Sequence, residues 1–447
     1  MLDYDTMRCT TLTLFVVLFT SNFAVADNWP AFRGPDSLGV STEKGIPDEW
    51  SADRNIAWKV RVPGRAWSSP IVWGDRVFVT TAVTDAKLEE PKKGLYFGGN
   101  RPKPHDAMYS WEVHCYNLSD GSLKWKKVAR QAKPKSAVHL KNTYASETPV
   151  TDGEHVIAFF GSAGLYCYDI DGNALWQKDP GVFKTAYAWG TASSPVIHGD
   201  KLILQCDNEG QSFLLALDKT NGKQIWRVNR QGRSAWSTPY IWKNKQRTEL
   251  VTTAVEGVRS YNLDDGSLLW QLRGMSSIVI TTPFSGNGLL YINSGYVGDK
   301  TRPIYAIRPG ASGDISLQRG VSSSDFVAWS SQKIGTYNPS PLLLNDRLYV
   351  LYDRGILGCF DAISGKEIYK ERLEGGRQFT TSPWSHNGKV LCSNEDGNTW
   401  VIAPGDTFRV LRVNRLDDMF MATPAIANGS LILRGRRYLY CVRQSAN

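Results

Sequence analysis

The chain has 447 residues, 42% of them hydrophobic and 21% charged, with 40 Gly, 16 Trp and a formal charge of +9. No long amphipathic period runs through it, so the composition is that of an all-β globular protein larger than one ordinary domain. The surplus of Lys and Arg suits either a solvated surface or an anionic partner such as a membrane surface, an acidic glycan or an acidic protein. No basic helix, zinc-finger spacing or other nucleic-acid module accompanies it.

In chain order, the first element is a targeting segment over residues 1–26. Leu12 to Thr20 is a short apolar run, and Ala24-Val25-Ala26 is a small-residue cleavage site that would leave Asp27 as the mature N-terminus. The apolar run is too short to span a membrane, and Cys9 precedes it, which excludes a lipid-attachment cysteine. Asp3 and Asp5 interrupt the basic region, so Met7 is an alternative start. The expected location is periplasmic or secreted. Residues 27–54 read as an extension packing on the domain that follows, and 55–447 as that domain.

The stretch FLLALDKTNGKQIW, residues 213–226, reads as strand, tight turn and strand. The Asp218 carboxylate accepts backbone N–H groups ahead of it, and Gly222 takes the positive φ that closes the loop. The pattern recurs, with an aromatic four residues after a turn Gly, at Trp125, Trp176, Trp270 and Tyr369. A second marker, Ser or Thr before Pro, runs in phase at Pro70, Pro149, Pro195, Pro239, Pro283, Pro341, Pro383 and Pro424. The spacings of 46, 44 and 44 from Pro149 to Pro283, and of 42 and 41 from Pro341 to Pro424, match the period of a four-stranded propeller blade.

Eight units predict an eight-bladed β-propeller of four-stranded antiparallel blades. Two longer gaps place insertions in blade one, at Thr84 to Trp111, and in blade five, around Gly310 to Gly335. The eighth unit ends without a Trp strand, whereas NIAWKVRV, residues 55–62, is a Trp strand without a unit. The N-terminal strand is therefore expected to close the ring within the C-terminal blade, protecting the sheet edges. Trp58, Trp125, Trp176, Trp226, Trp270 and Tyr369 are then expected to be structural caps between blades.

Cys115, Cys167, Cys359 and Cys441 share one strand position, filled elsewhere by Ala216, Ser260, Ala306 and Val401, and Cys206 and Cys392 also fall in separate blades. Blade-to-blade separation exceeds the reach of a disulfide, so these are expected to be free core thiols despite an oxidising compartment.

Enzyme motifs are sparse. The six histidines show no metal-ligand spacing, and there is no CxxCH, GxSxG or P-loop. The acidic clusters Asp169–Asn173 and Asn394–Asn398 coincide with hairpin turns and do not continue as EF-hand loops. One constellation points to binding. Ahead of the Pro markers stand Arg65 and Trp67, Tyr144, Trp189, Arg233 and Trp236, Tyr337, Arg377 and Phe379, and Phe420. Lead-in loops to innermost strands gather at one mouth of a propeller, so these residues predict a ring of aromatic faces and guanidinium groups. Such a ring suits a planar or anionic ligand or a peptide.

The repeat Ala216, Asp218, Asn221, Gly222, Trp226 resembles that of pyrroloquinoline quinone (PQQ) enzymes and of their non-enzymatic relative, the outer-membrane-protein assembly factor BamB. The likeness spans essentially the whole chain after the leader. NWPAFRGP, residues 28–35, and PIYAIRPGASGDISL, residues 303–317, resemble exported bacterial PQQ-like propellers. The quinoprotein side of the resemblance implies PQQ with Ca²⁺, adjacent cysteines, carboxylate and amide ligands and an Asp base. Here there are no adjacent cysteines, no Ca²⁺ ligand set or base matches residue by residue, and Glu147 is a loose candidate ligand. The assembly-factor side implies a rigid ring with exposed loops and envelope association, though its lipid-attachment Cys is lacking. The resulting expectation is an exported, monomeric, non-catalytic propeller binding a protein, a peptide or an anionic ligand, with no catalytic residue, metal or cofactor. The alternative is a PQQ-dependent dehydrogenase acting on an alcohol or sugar.

Overall fold

In the computed structural model, residues 28–96 and 98–444 are described; the leader, Cys9 and the cleavage site at Asp27 lie outside them. Eight sheets are arranged as the blades of a propeller, and only short 3₁₀ turns interrupt the strands and loops. Each blade is a meander. In blade three, Val196–His198, Lys201–Cys206, Ser212–Asp218 and Gln224–Arg230 pair antiparallel in sequence order. The inner strands are apolar on both faces because neighbouring blades cover them, and the outer strand alternates, as in Gln224–Arg230.

Ring closure follows the expected scheme. Ile56–Arg61 pairs antiparallel with Tyr438–Val442, so blade eight takes its outermost strand from the N-terminal end of the chain. The N–H of Arg443 donates to the carbonyl of Asn55 at 3.0 Å, extending the ladder.

The opening motif acts between blades. The Asp218 carboxylate accepts the N–H of Thr220, and Gly222 sits at φ 69°. Trp226 then donates its indole N–H to the Leu263 carbonyl in the turn of blade four, while Trp176 of blade two donates to Lys219 in the turn of blade three. The turn glycine is needed twice over. A Cβ on Gly222 would lie 2.6 Å from the Trp176 ring, and one on Gly266 2.9 Å from that of Trp226. Trp58 and Trp125 repeat the arrangement against the turns at Gly121 and Gly172. Each of these tryptophans stands opposite the small slot in its own blade, pairing with Cys441, Cys115, Cys167 and Ala216 in turn. All six described cysteines are buried and free.

Four expectations are corrected or refined. Trp270 is buried in a core cluster shared with Leu290, Ile292 and Tyr305 of blade five, but its indole donates to the Glu249 carboxylate of its own blade and not to a turn of the next. The blade-five equivalent is Trp329, bonded to the Ala362 carbonyl, which the sequence reading omitted; its strand, Val327–Ser331, lies within the stretch assigned to an insertion. The inserted chain is the preceding loop, and its Gly313–Asp314 adds a parallel fifth strand to the edge of blade four, so that blade is neither four-stranded nor wholly antiparallel. In blade one, strand structure resumes at Tyr109, which shortens that insertion at its C-terminal end.

Residues 28–54 form a strap across the face bearing the first hairpin of each blade. Trp29 pairs with Val72 of blade one, the N–H of Thr151 in blade two donates to Pro30, and Arg33 donates to the Pro341 carbonyl of blade six. Ser41 follows Ser385 of blade seven, and the Glu43 carboxylate accepts the N–H groups of Asn428 and Gly429 in blade eight. Phe32 reaches the central channel from this side.

Candidate functional site

A cavity of about 590 Å³ occupies the channel and its mouth on the face opposite the strap. Its inner wall explains the Pro marker. The residue before each of the eight prolines carries a hydroxyl that lines this cavity, and the backbone N–H of one such residue donates to the hydroxyl oxygen of the next. The bonds run from Ser69 to Thr148, Thr148 to Ser194 and Ser194 to Thr238, at 2.9 to 3.1 Å. They resume from Thr282 to Ser340, Ser340 to Ser382 and Ser382 to Thr423, at 3.0 to 3.1 Å. Proline fixes the backbone after each hydroxyl, so the belt repeats with the blades.

Of the residues expected at the mouth, Trp67, Trp189, Trp236 and Tyr337 do line the cavity. Each indole N–H there is satisfied: Trp67 donates to the Lys141 carbonyl, Trp189 to Asn100 and Trp236 to the Gly190 carbonyl. Trp189 and Trp236 lie 5.6 Å apart at 43°, and Tyr187, 64% exposed, packs on Trp189 at the rim. What these residues offer a ligand is therefore ring faces and edges.

The other expected mouth residues lie elsewhere, and no ring of guanidinium groups forms. Arg65 is buried against Glu90 and the Glu89 carbonyl, held there by the blade-one insertion. Arg233 is exposed beside Glu256, and Arg377 is absent from the cavity wall. Tyr144 packs edge-on against Tyr109 and Trp111, Phe379 is buried on Trp400, and Phe420 lies against Tyr440. In those loops the aromatic turns into the space between blades, as apolar burial favours, and away from the wet channel.

The sequence reading missed Lys141 and Glu395. Lys141 crosses to blade seven and binds Glu395 at 2.6 Å, with both side chains largely buried. Glu395 also accepts the Thr380 hydroxyl and the N–H of Gly94, while Lys141 donates to the Gly94 carbonyl. This knot draws the blade-one insertion over the mouth, where Gly94, Leu95, Tyr96, Gly98 and Asn100 form part of the wall. Lys93 to Asp396 and Leu140 to the Gly99 carbonyl add to it. The acidic stretch Asn394–Asn398 was the available signal, although its turn chemistry masked it: Asn394 accepts the N–H groups of Asp396 and Asn398.

Two further buried carboxyls stand beside the channel. Burial pushes Glu147 up to about 7, partly offset by the Thr191 hydroxyl donating at 2.5 Å. Burial likewise pushes Asp353 up to about 6, against the bond from the Asn338 amide. Ca²⁺ takes about six to eight oxygens, whereas Glu147 brings one carboxyl with the neutral Thr191 hydroxyl bonded to it. Among the described residues no three His, Cys, Asp or Glu side chains come together as a cation cage, and the six cysteines sit in separate blades. The donor set around Glu147 does not fit Ca²⁺.

The family described as outer membrane protein assembly factor BamB matches residues 97–233 and 171–406. The chain belongs to that family. Among solved structures, BamB from Moraxella catarrhalis aligns with a TM-score of 0.57 at 12% identity, covering 86% of this chain and 98% of that one. Quinohemoprotein alcohol dehydrogenase ADHIIG from Pseudomonas putida HK5 aligns at 0.58 and 11%, covering 94% and 81%. The computationally designed Ika8 protein aligns at 0.53 and 12%, covering 79% and 98%. At these identities the likeness is one of fold. No curated protein matches the sequence. No helix among the described residues is long and apolar enough to cross a membrane.

Proposed function

We propose that this BamB-family propeller is a non-catalytic binding protein of the cell envelope, exported by its N-terminal leader and working through its mouth as a receptor for an extended segment of a protein partner. The observation that carries the reading is the cavity wall. Its indole N–H groups are bonded within the protein, leaving aromatic faces open, and Glu395 is held by Lys141. Rigid faces of this kind grip a chain segment through apolar area and stacking. The strap crosses the opposite end of the channel and sets Phe32 at the cavity, which favours entry of a segment by the mouth.

The test pairs a binding assay with an activity assay. A photo-crosslinking side chain at Tyr187, in envelope preparations, should capture one protein partner, and Trp189→Ala, at a half-buried position, should lower the yield while changing the melting temperature little. Purified protein given PQQ and Ca²⁺ should develop no quinone absorbance at stoichiometric level and no alcohol- or sugar-dependent dye reduction. Robust turnover would overturn the reading in favour of a dehydrogenase.

A further inference from the structure

We infer that the hydroxyl belt on the inner wall of the cavity is a binding site for a small inorganic oxyanion such as phosphate or sulfate, with contacts separate from those of the aromatic residues that line the same cavity. A serine or threonine hydroxyl has one hydrogen to donate and two lone pairs to accept with. Along both halves of the belt the oxygen is occupied by a neighbour's backbone N–H. None of the eight hydroxyls donates to any group among the described residues, though every one of these residues is more than nine-tenths buried and lines the cavity. A ring of donors with no acceptor facing it is complementary to an anion, because hydrogen bonds to a charged acceptor are about twice as strong as neutral ones.

The surroundings permit the charge. Phe32, from the strap, is among the residues that line the cavity beside the belt. Of the buried carboxyls beside the channel, Glu395 is paired with Lys141, while Glu147 and Asp353 take hydrogen bonds from the neutral Thr191 hydroxyl and Asn338 amide and are buried where the uncharged form is favoured. Arg354 at the wall adds a positive charge toward the mouth.

The belt breaks at two steps, where no backbone N–H reaches the hydroxyl of Ser69 or of Thr282. Those two hydroxyls can therefore be removed without orphaning an amide, which makes the test clean. Calorimetric titration of the full chain with sodium phosphate, and separately with sodium sulfate at the same ionic strength, should show one saturable site. The double variant Ser69→Ala/Thr282→Val should weaken it at least about tenfold at an unchanged melting temperature without anion. Ser69→Thr/Thr282→Ser, which keeps both hydroxyls, should retain it. Trp189→Ala should leave anion affinity intact even where it abolishes partner capture, so the two readings fail separately. Absence of saturable binding by either anion, parent-like affinity in the double variant, or loss of anion binding in Trp189→Ala alone would overturn the assignment.

Discussion

Trp226 and Gly222 show why the repeat keeps its spacing. The indole must reach a carbonyl in the next blade's turn, and that turn must pass so close to the preceding tryptophan that a side chain has no room. Trp226→Ala removes a buried ring and leaves the Leu263 carbonyl without its donor. It should lower stability by about 3 to 5 kcal/mol in denaturant melts, without altering binding by the folded fraction. Glu147 makes a pH-dependent contribution of opposite sense to a surface ion pair. Its ordinary value is 4.5 and the folded protein holds it at about 7. Below pH 4.5 both states carry the proton; between 4.5 and 7 the unfolded chain releases it first, so stability falls across that window and stays lower above it. Glu147→Gln keeps an acceptor for Thr191 and removes the charge. It should stabilise the protein at pH 8 by an amount on the order of 2 kcal/mol and change little at pH 4. An equal gain at both values would show that the carboxyl is not the cause.

At the scale of elements, three segments foreign to a simple blade repeat do the positioning. The strap crosses one end of the channel from blades one and two to blade six, the blade-one insertion lines the wall at the other, and the Ile56–Arg61 strand ties the ring. Only the last was assigned its place from sequence, because a Trp strand without a unit and a unit without a Trp strand imply each other. Deleting Ile56–Arg61 exposes the edge at Tyr438–Val442 and takes away Trp58, whereas residues 319–323 are an exposed loop. Circular dichroism melts should show the first deletion unfolded or melting far lower, and the second close to the parent. Similar melting of the two would place the closure elsewhere.

For the whole molecule, closure should make the blades unfold together. The six buried thiols are spread over blades one, two, three, six, seven and eight, and burial pushes Cys115 and Cys167 to about 12 and Cys359 to about 11. A thiol-specific reagent should therefore label all six slowly, at one common rate that follows global unfolding. Well-separated rates at Cys206 and Cys392 would show that blades open one by one.

The sequence by itself determined the blade count, the ring closure, the free thiols and the turn chemistry, because each is written as a short pattern recurring at the period of the structural unit. The belt was also present in it, as the Ser or Thr before each Pro, yet its meaning depends on neighbours about 40 residues apart being brought into register. Tertiary structure alone decided which lead-in aromatics face the channel. Trp67, Trp189, Trp236 and Tyr337 share their local pattern with Tyr144, Phe379 and Phe420, and what separates them is whether the gap between blades can accept the ring. It alone also decided the Lys141 to Glu395 knot, since 254 residues separate two charges whose attraction matters only after the ring has closed.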